Sequence, residues 1–168
     1  MRFSKKEQSA PGAPSRRSSG RRQKGFTLVE LIIAMGVILV LAGMAVPAML
    51  GAIKNAKLAR TVGDVRTIGN EVNSIGFTTG VYPTLLTETA YGDSTDPWGR
   101  GYIYKNLHDP ANAGQGRTDR FGVQVNTNFD LYSTGEDKAT AVSLVASPSA
   151  DDVIWANDGA YIGLASQF

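Results

Sequence analysis

Acidic side chains are concentrated near the C-terminal end of the chain, in a segment rich in turn-forming residues. They are Asp130, Glu136, Asp137, Asp151 and Asp152. Carboxylate oxygens are hard ligands that suit Ca²⁺, and the segment contains no Cys or His, the ligands that transition metals prefer. Its composition therefore favours a calcium site. The alternative is a set of solvated aspartates in turns.

The remaining residues give little support to catalysis. The chain has no cysteine and a single histidine, His108, so neither a thiol nucleophile nor a serine triad is favoured. A carboxylate pair such as Asp137 and Asp152 has glycosidase chemistry in principle, but no cleft around it is indicated. The glycine-rich segment 113–117 lacks the lysine and serine of a phosphate-binding loop. We therefore expect no enzymatic activity.

One further carboxylate lies at the start of a long apolar run. Glu30 is the only ionisable residue between Lys24 and Lys54, and 23 uncharged residues follow it, from Leu31 to Ile53. A helix of that length spans about 34 Å, which exceeds the hydrocarbon core of a bilayer at about 30 Å. We therefore expect a membrane span. The carboxylate at its start needs a cation, and an α-amino group created by cutting after Gly25 would supply one.

Charge is distributed unevenly on the two sides of this run. Residues 1–25 contain eight Lys and Arg against one Glu, whereas the rest of the chain contains nine basic and 14 acidic residues. The positive-inside rule places the basic end in the cytoplasm and the acidic part outside. The basic end is polar and lacks apolar periodicity, so it is predicted to be disordered. Its charge is explained by this topology and gives no indication of nucleic-acid binding.

The residues around Glu30 resemble a processing site. The segment 24–30, KGFTLVE, is similar to the prepilin peptidase site of type IV pilins and type II secretion pseudopilins. In that family the peptidase cuts after the glycine, the new N-terminal phenylalanine is N-methylated, and the glutamate is needed for assembly. The resemblance gives these roles to Gly25, Phe26 and Glu30. Pro47 matches a helix-kinking proline that many members carry.

The sequence pattern predicts three segments. They are a basic leader over 1–25, a transmembrane or filament-core helix over 26–53, and a soluble domain over 54–168. Apolar residues at steps of three and four from Ile53 to Ile75 extend the helix into the domain, and Gly76 is predicted to end it. Pro47 and its neighbouring glycines predict a kink or local melting over 42–47.

Short β-prone runs follow the helix. They are Gly101–Lys105, Phe121–Asn126, Phe129–Ser133, Val153–Ala156 and Ala160–Leu164. Because the runs are close together in sequence, we expect a small antiparallel sheet packed against the second half of the long helix, an α+β pilin-like fold.

The domain resembles the major pseudopilin of type II secretion more than a generic pilin. The similarity lies in Gly80–Pro83, Asp96–Gly99 and Phe129–Gly135. The lack of cysteine agrees, because many type IV pilins close a C-terminal loop with a disulfide. The major pseudopilin binds calcium in the loop that corresponds to the acidic C-terminal segment of this chain. Carried over, the ligands would be the Thr134 carbonyl and the side chains of Asp137, Asp151 and Asp152, although the Ala/Ser-rich stretch 139–150 departs from the family pattern.

The resemblance implies a structural subunit of a periplasmic pseudopilus. The bacterial inner membrane would hold the precursor, and helix bundling would assemble the processed form into a helical homopolymer. The implied partners are copies of the chain, prepilin peptidase, minor pseudopilins and an inner-membrane assembly platform with a cytoplasmic ATPase. Two alternatives remain open: a type IV pilin for adhesion, motility or DNA uptake, and a monomeric calcium-binding domain tethered to the membrane.

Overall fold

The computed structural model describes residues 25–168, so nearly all of the predicted leader lies outside the described residues. The single α-helix of this part, α1 (Leu28–Thr79), begins at the apolar run and extends into the folded domain. It is uninterrupted at Pro47. The local melting predicted over 42–47 is therefore not present in this structure.

α1 ends four residues later than predicted. It continues through Gly76 to Thr79, and Gly80 follows with a left-handed φ of 76°. The N–H of Gly80 donates to the Gly76 carbonyl at 2.9 Å, so Gly80 ends the helix. Gly76 meets a different requirement, because a Cβ there would lie 2.5 Å from the ring of Tyr82. The prediction was wrong because a packing glycine was taken for a helix stop.

Four short strands form one antiparallel sheet in the order β1–β2–β3–β4. They are β1 (Ile103–Asn106), β2 (Phe129–Ser133), β3 (Val153–Ala156) and β4 (Tyr161–Leu164). Ser133 of β2 pairs with Val153 of β3, which pairs in turn with Leu164 of β4. Single turns of 3₁₀ helix lie before, between and after the strands, at Leu86–Glu88, Pro110–Asn112, Ser147–Ser149, Asn157–Gly159 and Ala165–Gln167. The predicted α+β pilin-like fold is confirmed.

The predicted strand over 121–126 is not formed. In place of a strand, this segment forms an isolated β-bridge at Gln124. The side chain of Asp119 accepts the N–H groups of Phe121 at 2.8 Å and Val123 at 2.9 Å. Because a local turn takes these donors, they are not available to a β-ladder. The prediction was wrong because alternating apolar residues also occur in a loop.

The main core lies between one face of α1 and one face of the sheet. The stripe predicted from the three- and four-residue spacing is confirmed in its later part, where Val65, Ile68 and Val72 are at most 1% exposed. Its first members, Ile53, Ala56 and Ala59, are exposed. Burial of side chains of this size stabilises a fold by about 1.5–3 kcal/mol each. The sheet and its flanking segments supply the other buried members of this cluster: Leu86, Tyr102, Phe129, Leu131, Val153 and Trp155.

The other face of the sheet is covered by the loop between β2 and β3, residues 134–152, which we call the β2–β3 loop. Side chains alternate between the faces of a strand, so Tyr132 and Ile154 belong to a second apolar cluster. Leu144 of the loop and Ala165 near the C-terminus are buried against them. The position of the β2–β3 loop on the sheet is therefore part of the fold.

Candidate functional site

The predicted cleavage point lies just before α1. Residues 25–27 are not helical, and Phe26 is 92% exposed. A Cβ built on Gly25 would meet no atom within 4 Å. The bond between Gly25 and Phe26 is thus free of tertiary contacts within the described part of the chain. Cleavage and N-methylation at these residues remain predictions.

Glu30 is held at the start of α1 by a capping box with Thr27. The Thr27 N–H donates to Glu30 Oε2 at 2.8 Å, and the Thr27 hydroxyl donates to the same oxygen at 3.0 Å. The Glu30 N–H donates to the hydroxyl oxygen at 3.2 Å. These bonds satisfy N–H groups that a helix leaves unpaired at its start. The Thr-x-x-Glu pattern was visible in the sequence, but the role of Thr27 was not predicted from it.

Glu30 has no basic partner among residues 25–168. The ion pairs of this region join Lys54 to Glu136, Arg60 to Asp64, and Arg117 to Asp152. Within the described residues, the hydrogen bonds that reach the Glu30 carboxylate come from Thr27. A carboxylate at the start of an apolar segment is costly without a compensating charge. Its geometry is therefore compatible with a cation supplied by another molecule.

The first half of α1 presents an apolar surface on every side. Every residue from 25 to 56 is exposed, and this part of the helix is long and apolar enough to cross a membrane. A Cβ at Gly36, Gly43 or Gly51 would meet nothing within 4 Å in the described chain. Packing within this chain therefore does not require these glycines. An apolar helix with small residues suits contact with lipid and close approach of another helix.

The four residues predicted to bind calcium lie in the β2–β3 loop. Thr134 and Asp152 are buried beside the paired ends of β2 and β3. Asp151 Oδ2 accepts the backbone N–H of Glu136 at 2.7 Å and of Asp137 at 3.0 Å. Asp137 Oδ1 accepts the amide two residues further on, at 2.7 Å. The aspartates thus close turns of the loop through hydrogen bonds to its backbone.

A buried arginine lies on the inner side of the same loop. Arg117 is 4% exposed, and its Nη2 donates to Asp152 Oδ2 at 2.7 Å. Its Nη1 donates to Thr140 Oγ1 at 2.8 Å, and the Thr140 hydroxyl donates to Asp152 Oδ2 at 2.6 Å. The guanidinium carbon is 4.2 Å from the centre of the Tyr132 ring, a cation–π contact. Sequence analysis did not find this residue, because no local pattern links it to an aspartate 35 positions away.

The backbone of Arg117 is also fixed. Its N–H donates to Asp130 Oδ2 at 2.7 Å, and the Asn126 amide donates to Asp130 Oδ1 at 2.9 Å. Burial raises the pKa of the Asp130 carboxyl, while these two hydrogen bonds act to lower it. Burial likewise raises the pKa of Asp152, against the hydrogen bonds from Thr140 and Arg117. Both carboxylates therefore depend on polar partners inside the fold.

The arrangement does not fit a calcium ion bound as predicted. No group of three or more His, Cys, Asp or Glu side chains suited to a metal occurs within the described residues. Asp152 Oδ1 and Thr134 Oγ1 are buried without a hydrogen-bond partner there, but calcium takes six to eight oxygens. Asp152 is moreover already paired with a guanidinium, which would repel a second cation. Calcium binding by this chain, with any other set of ligands, remains a prediction.

Comparison with known proteins defines the class of this chain. Residues 20–46 match the family model described as the prokaryotic N-terminal methylation motif. Together with the long apolar helix and the antiparallel sheet, this motif confirms the resemblance seen in KGFTLVE. The chain therefore carries an N-terminal methylation motif and is similar, over 70% of its length, to a core protein of type II secretion.

Three of the similar proteins share one name. The chain is 28% identical over 137 residues to the type II secretion system core protein G of Vibrio cholerae, which covers 70% of this chain and 90% of the relative. It is 26% identical over 126 residues to the same protein of Pseudomonas aeruginosa, covering 70% and 86%. For that of Dickeya chrysanthemi the identity is 31% over 100 residues, covering 54% and 64%. No solved structure matches the chain significantly.

Proposed function

We propose that this chain is a structural subunit of the periplasmic pseudopilus of a type II protein secretion system. One observation carries the proposal: the first half of α1 is apolar and exposed, and it begins at a methylation motif with a carboxylate that has no basic partner in the described chain. Similarity to core protein G over 70% of the chain supports the same function.

Assembly follows from the chemistry of the helix start. Cleavage after Gly25 gives Phe26 a free α-amino group, which stays cationic when it is N-methylated. In a bundle of α1 helices this amine and the Glu30 carboxylate of a neighbouring copy neutralise each other. Because either charge alone is costly in a low-dielectric surrounding, the pairing selects one register of the helices. The capping box with Thr27 keeps the carboxylate at the helix start until it pairs with the amine of the neighbouring copy.

The proposed location follows from charge and hydropathy. The basic leader stays in the cytoplasm, the apolar half of α1 lies in the inner membrane, and the domain over 54–168 lies in the periplasm. The partners are copies of this chain, prepilin peptidase, minor pseudopilins and the assembly platform with its ATPase. These roles need no catalysis. A cavity of about 530 Å³ contains Ser166 beside Asp119 and Arg120, but no histidine to activate the hydroxyl.

The test compares Glu30→Ala with Glu136→Ala in a strain that lacks the native gene. Glu136→Ala is the matched control, because it removes an exposed ion pair with Lys54 that contributes little to stability. We expect both variants to be inserted and processed. Glu30→Ala should yield no filaments and no secreted exoprotein, whereas the control should behave as wild type.

Two results would contradict the proposal. Filaments of Glu30→Ala at wild-type yield would remove the argument from charge pairing. Normal exoprotein secretion in the deletion strain, together with the loss of surface pili, would show that the chain is a type IV pilin instead.

A further inference from the structure

The β2–β3 loop is long and polar, and hydrogen bonds within it hold it together at several separate points. Its first turn is closed by Asp151, which accepts two backbone amides. Its middle is tied down by Ser149, whose side chain bonds both the N–H and the carbonyl of Ala141. Its two arms also carry the Thr140 hydroxyl and the buried Asp152 carboxylate, which bond each other and take a further partner from outside the loop.

Arg117 supplies that partner. Its guanidinium reaches Thr140 on one arm of the loop with Nη1 and Asp152 on the other arm with Nη2. Its flat face covers the Tyr132 ring of β2. One cation therefore joins both arms of the loop to the sheet, in the way that a metal ion joins oxygen ligands from separate positions.

The guanidinium is fixed in this position. Arg117 is 4% exposed and Asp152 has no exposed surface, so the pair is closed to solvent. The Arg117 N–H is bonded to the buried carboxylate of Asp130, which anchors the residue at its backbone as well. A planar guanidinium has its five donors in a fixed geometry, so it can hold two partners without further ordering.

We propose that Arg117 is the built-in cation of the β2–β3 loop and does the structural work of a calcium ion there. The domain then folds, and keeps its loop on the sheet, without calcium. This inference concerns folding of the chain itself, so its test is independent of assembly and secretion.

The first experiment measures calcium dependence in the wild-type protein. The full chain is purified in detergent, and its melting temperature is followed by near-ultraviolet circular dichroism in 1 mM CaCl₂ and in EGTA. We expect the two melting temperatures to agree within about 1 °C, because a ligand that does not bind the folded state does not stabilise it. A rise of several degrees with calcium would overturn the proposal.

The second experiment removes the guanidinium. Arg117→Met leaves the Asp152 carboxylate buried without a cation, so the melting temperature should fall by about 10 °C or more. Arg120→Met is the matched control, because Arg120 is exposed and lies only three positions away. It should melt within about 2 °C of wild type. Adding Asp152→Asn to Arg117→Met should recover part of the loss, because the unpaired charge is then removed.

Two outcomes of these variants would overturn the proposal. Equal melting temperatures of Arg117→Met and Arg120→Met would show that the guanidinium holds nothing in place. If Arg117→Met does not fold, Arg117→Lys is the deciding variant, because lysine keeps the positive charge and loses only the two-pronged donor geometry of the guanidinium. It should fold in EGTA with a reduced melting temperature. An Arg117→Lys chain that folds only with calcium would mean that a metal is the structural cation.

Discussion

Packing of α1 on the sheet leads to a quantitative prediction at two glycines of the same helix. Gly69 is buried at a close approach to Trp155 of β3, whereas Gly63 is exposed. A Cβ at Gly69 would lie 2.9 Å from Trp155 Cδ2 and closer still to Cε3 and Cζ3. A Cβ at Gly63 would meet nothing within 4 Å. The same substitution, glycine to alanine, therefore tests helix propensity at one position and packing at the other.

The two variants should change stability in opposite directions. Alanine stabilises a helix interior by about 1 kcal/mol relative to glycine, so Gly63→Ala should raise the free energy of unfolding by up to this amount. Gly69→Ala makes the same gain, but nonbonded carbons need about 3.5–4.0 Å, so the indole must move away by more than about 0.6 Å. Overpacking of a core costs about 1–3 kcal/mol, and contact with several ring atoms places Gly69→Ala at the upper end. Its net loss should be about 2 kcal/mol.

The assay is denaturation of the chain from residue 54 onward, which contains every member of both apolar clusters. Urea unfolding followed by tryptophan fluorescence gives the free energy of unfolding of each variant. We expect Gly63→Ala to unfold at higher urea than wild type, and Gly69→Ala at lower urea. Equal stabilisation by the two substitutions would refute the reasoning, because it would mean that α1 and β3 are not in the close contact described.

Three further predictions concern the helix start and the tyrosines. Mass spectrometry of the mature protein should find a chain that begins with N-methylated Phe26, and bulky substitutions of Gly25 should block cutting; an intact leader on the mature membrane protein would contradict this. Thr27→Val removes the capping hydroxyl, a loss of about 1 kcal/mol, so the first amides of α1 should exchange hydrogen about fivefold faster, whereas Thr27→Ser should behave as wild type. Equal exchange in Val and Ser variants would show that the cap does not form. Burial raises the pKa of the Tyr102 and Tyr104 phenols, so their contribution to stability is present below about pH 10 and is lost at higher pH. The melting temperature should therefore fall more steeply above pH 10 in wild type than in a variant with both tyrosines changed to phenylalanine, and parallel curves would contradict the assignment.

Local pattern predicted much of the fold correctly. The apolar spacing from Ile53 to Ile75 placed Val65, Ile68 and Val72 on the buried face, and four of the five predicted strands are present within one residue or two of their ends. Burial of a helix stripe or a strand face depends on the periodicity of neighbouring residues, which the sequence displays directly. The fifth strand failed because hydrogen bonds to the Asp119 side chain competed for its backbone.

The helix start was also determined by the sequence. The motif of 24–30 and the apolar run after it are contiguous, so length and composition were enough to predict a membrane-type helix and a processing site. The cap between Thr27 and Glu30 spans three residues and follows from helix geometry alone. Features confined to one turn of helix can be found without knowing the rest of the fold.

Only the tertiary structure decided what the acidic residues near the C-terminus do. Composition favoured a calcium site, and the resemblance to the major pseudopilin implied Asp137, Asp151 and Asp152 as its side-chain ligands. In the fold the first two carboxylates accept backbone amides and the third accepts from Arg117. Composition cannot show which donor reaches a carboxylate when the partners are 35 residues apart in the chain. That contact exists because β2 and β3 pair with the β2–β3 loop folded over them, and the pairing of distant segments depends on the whole fold.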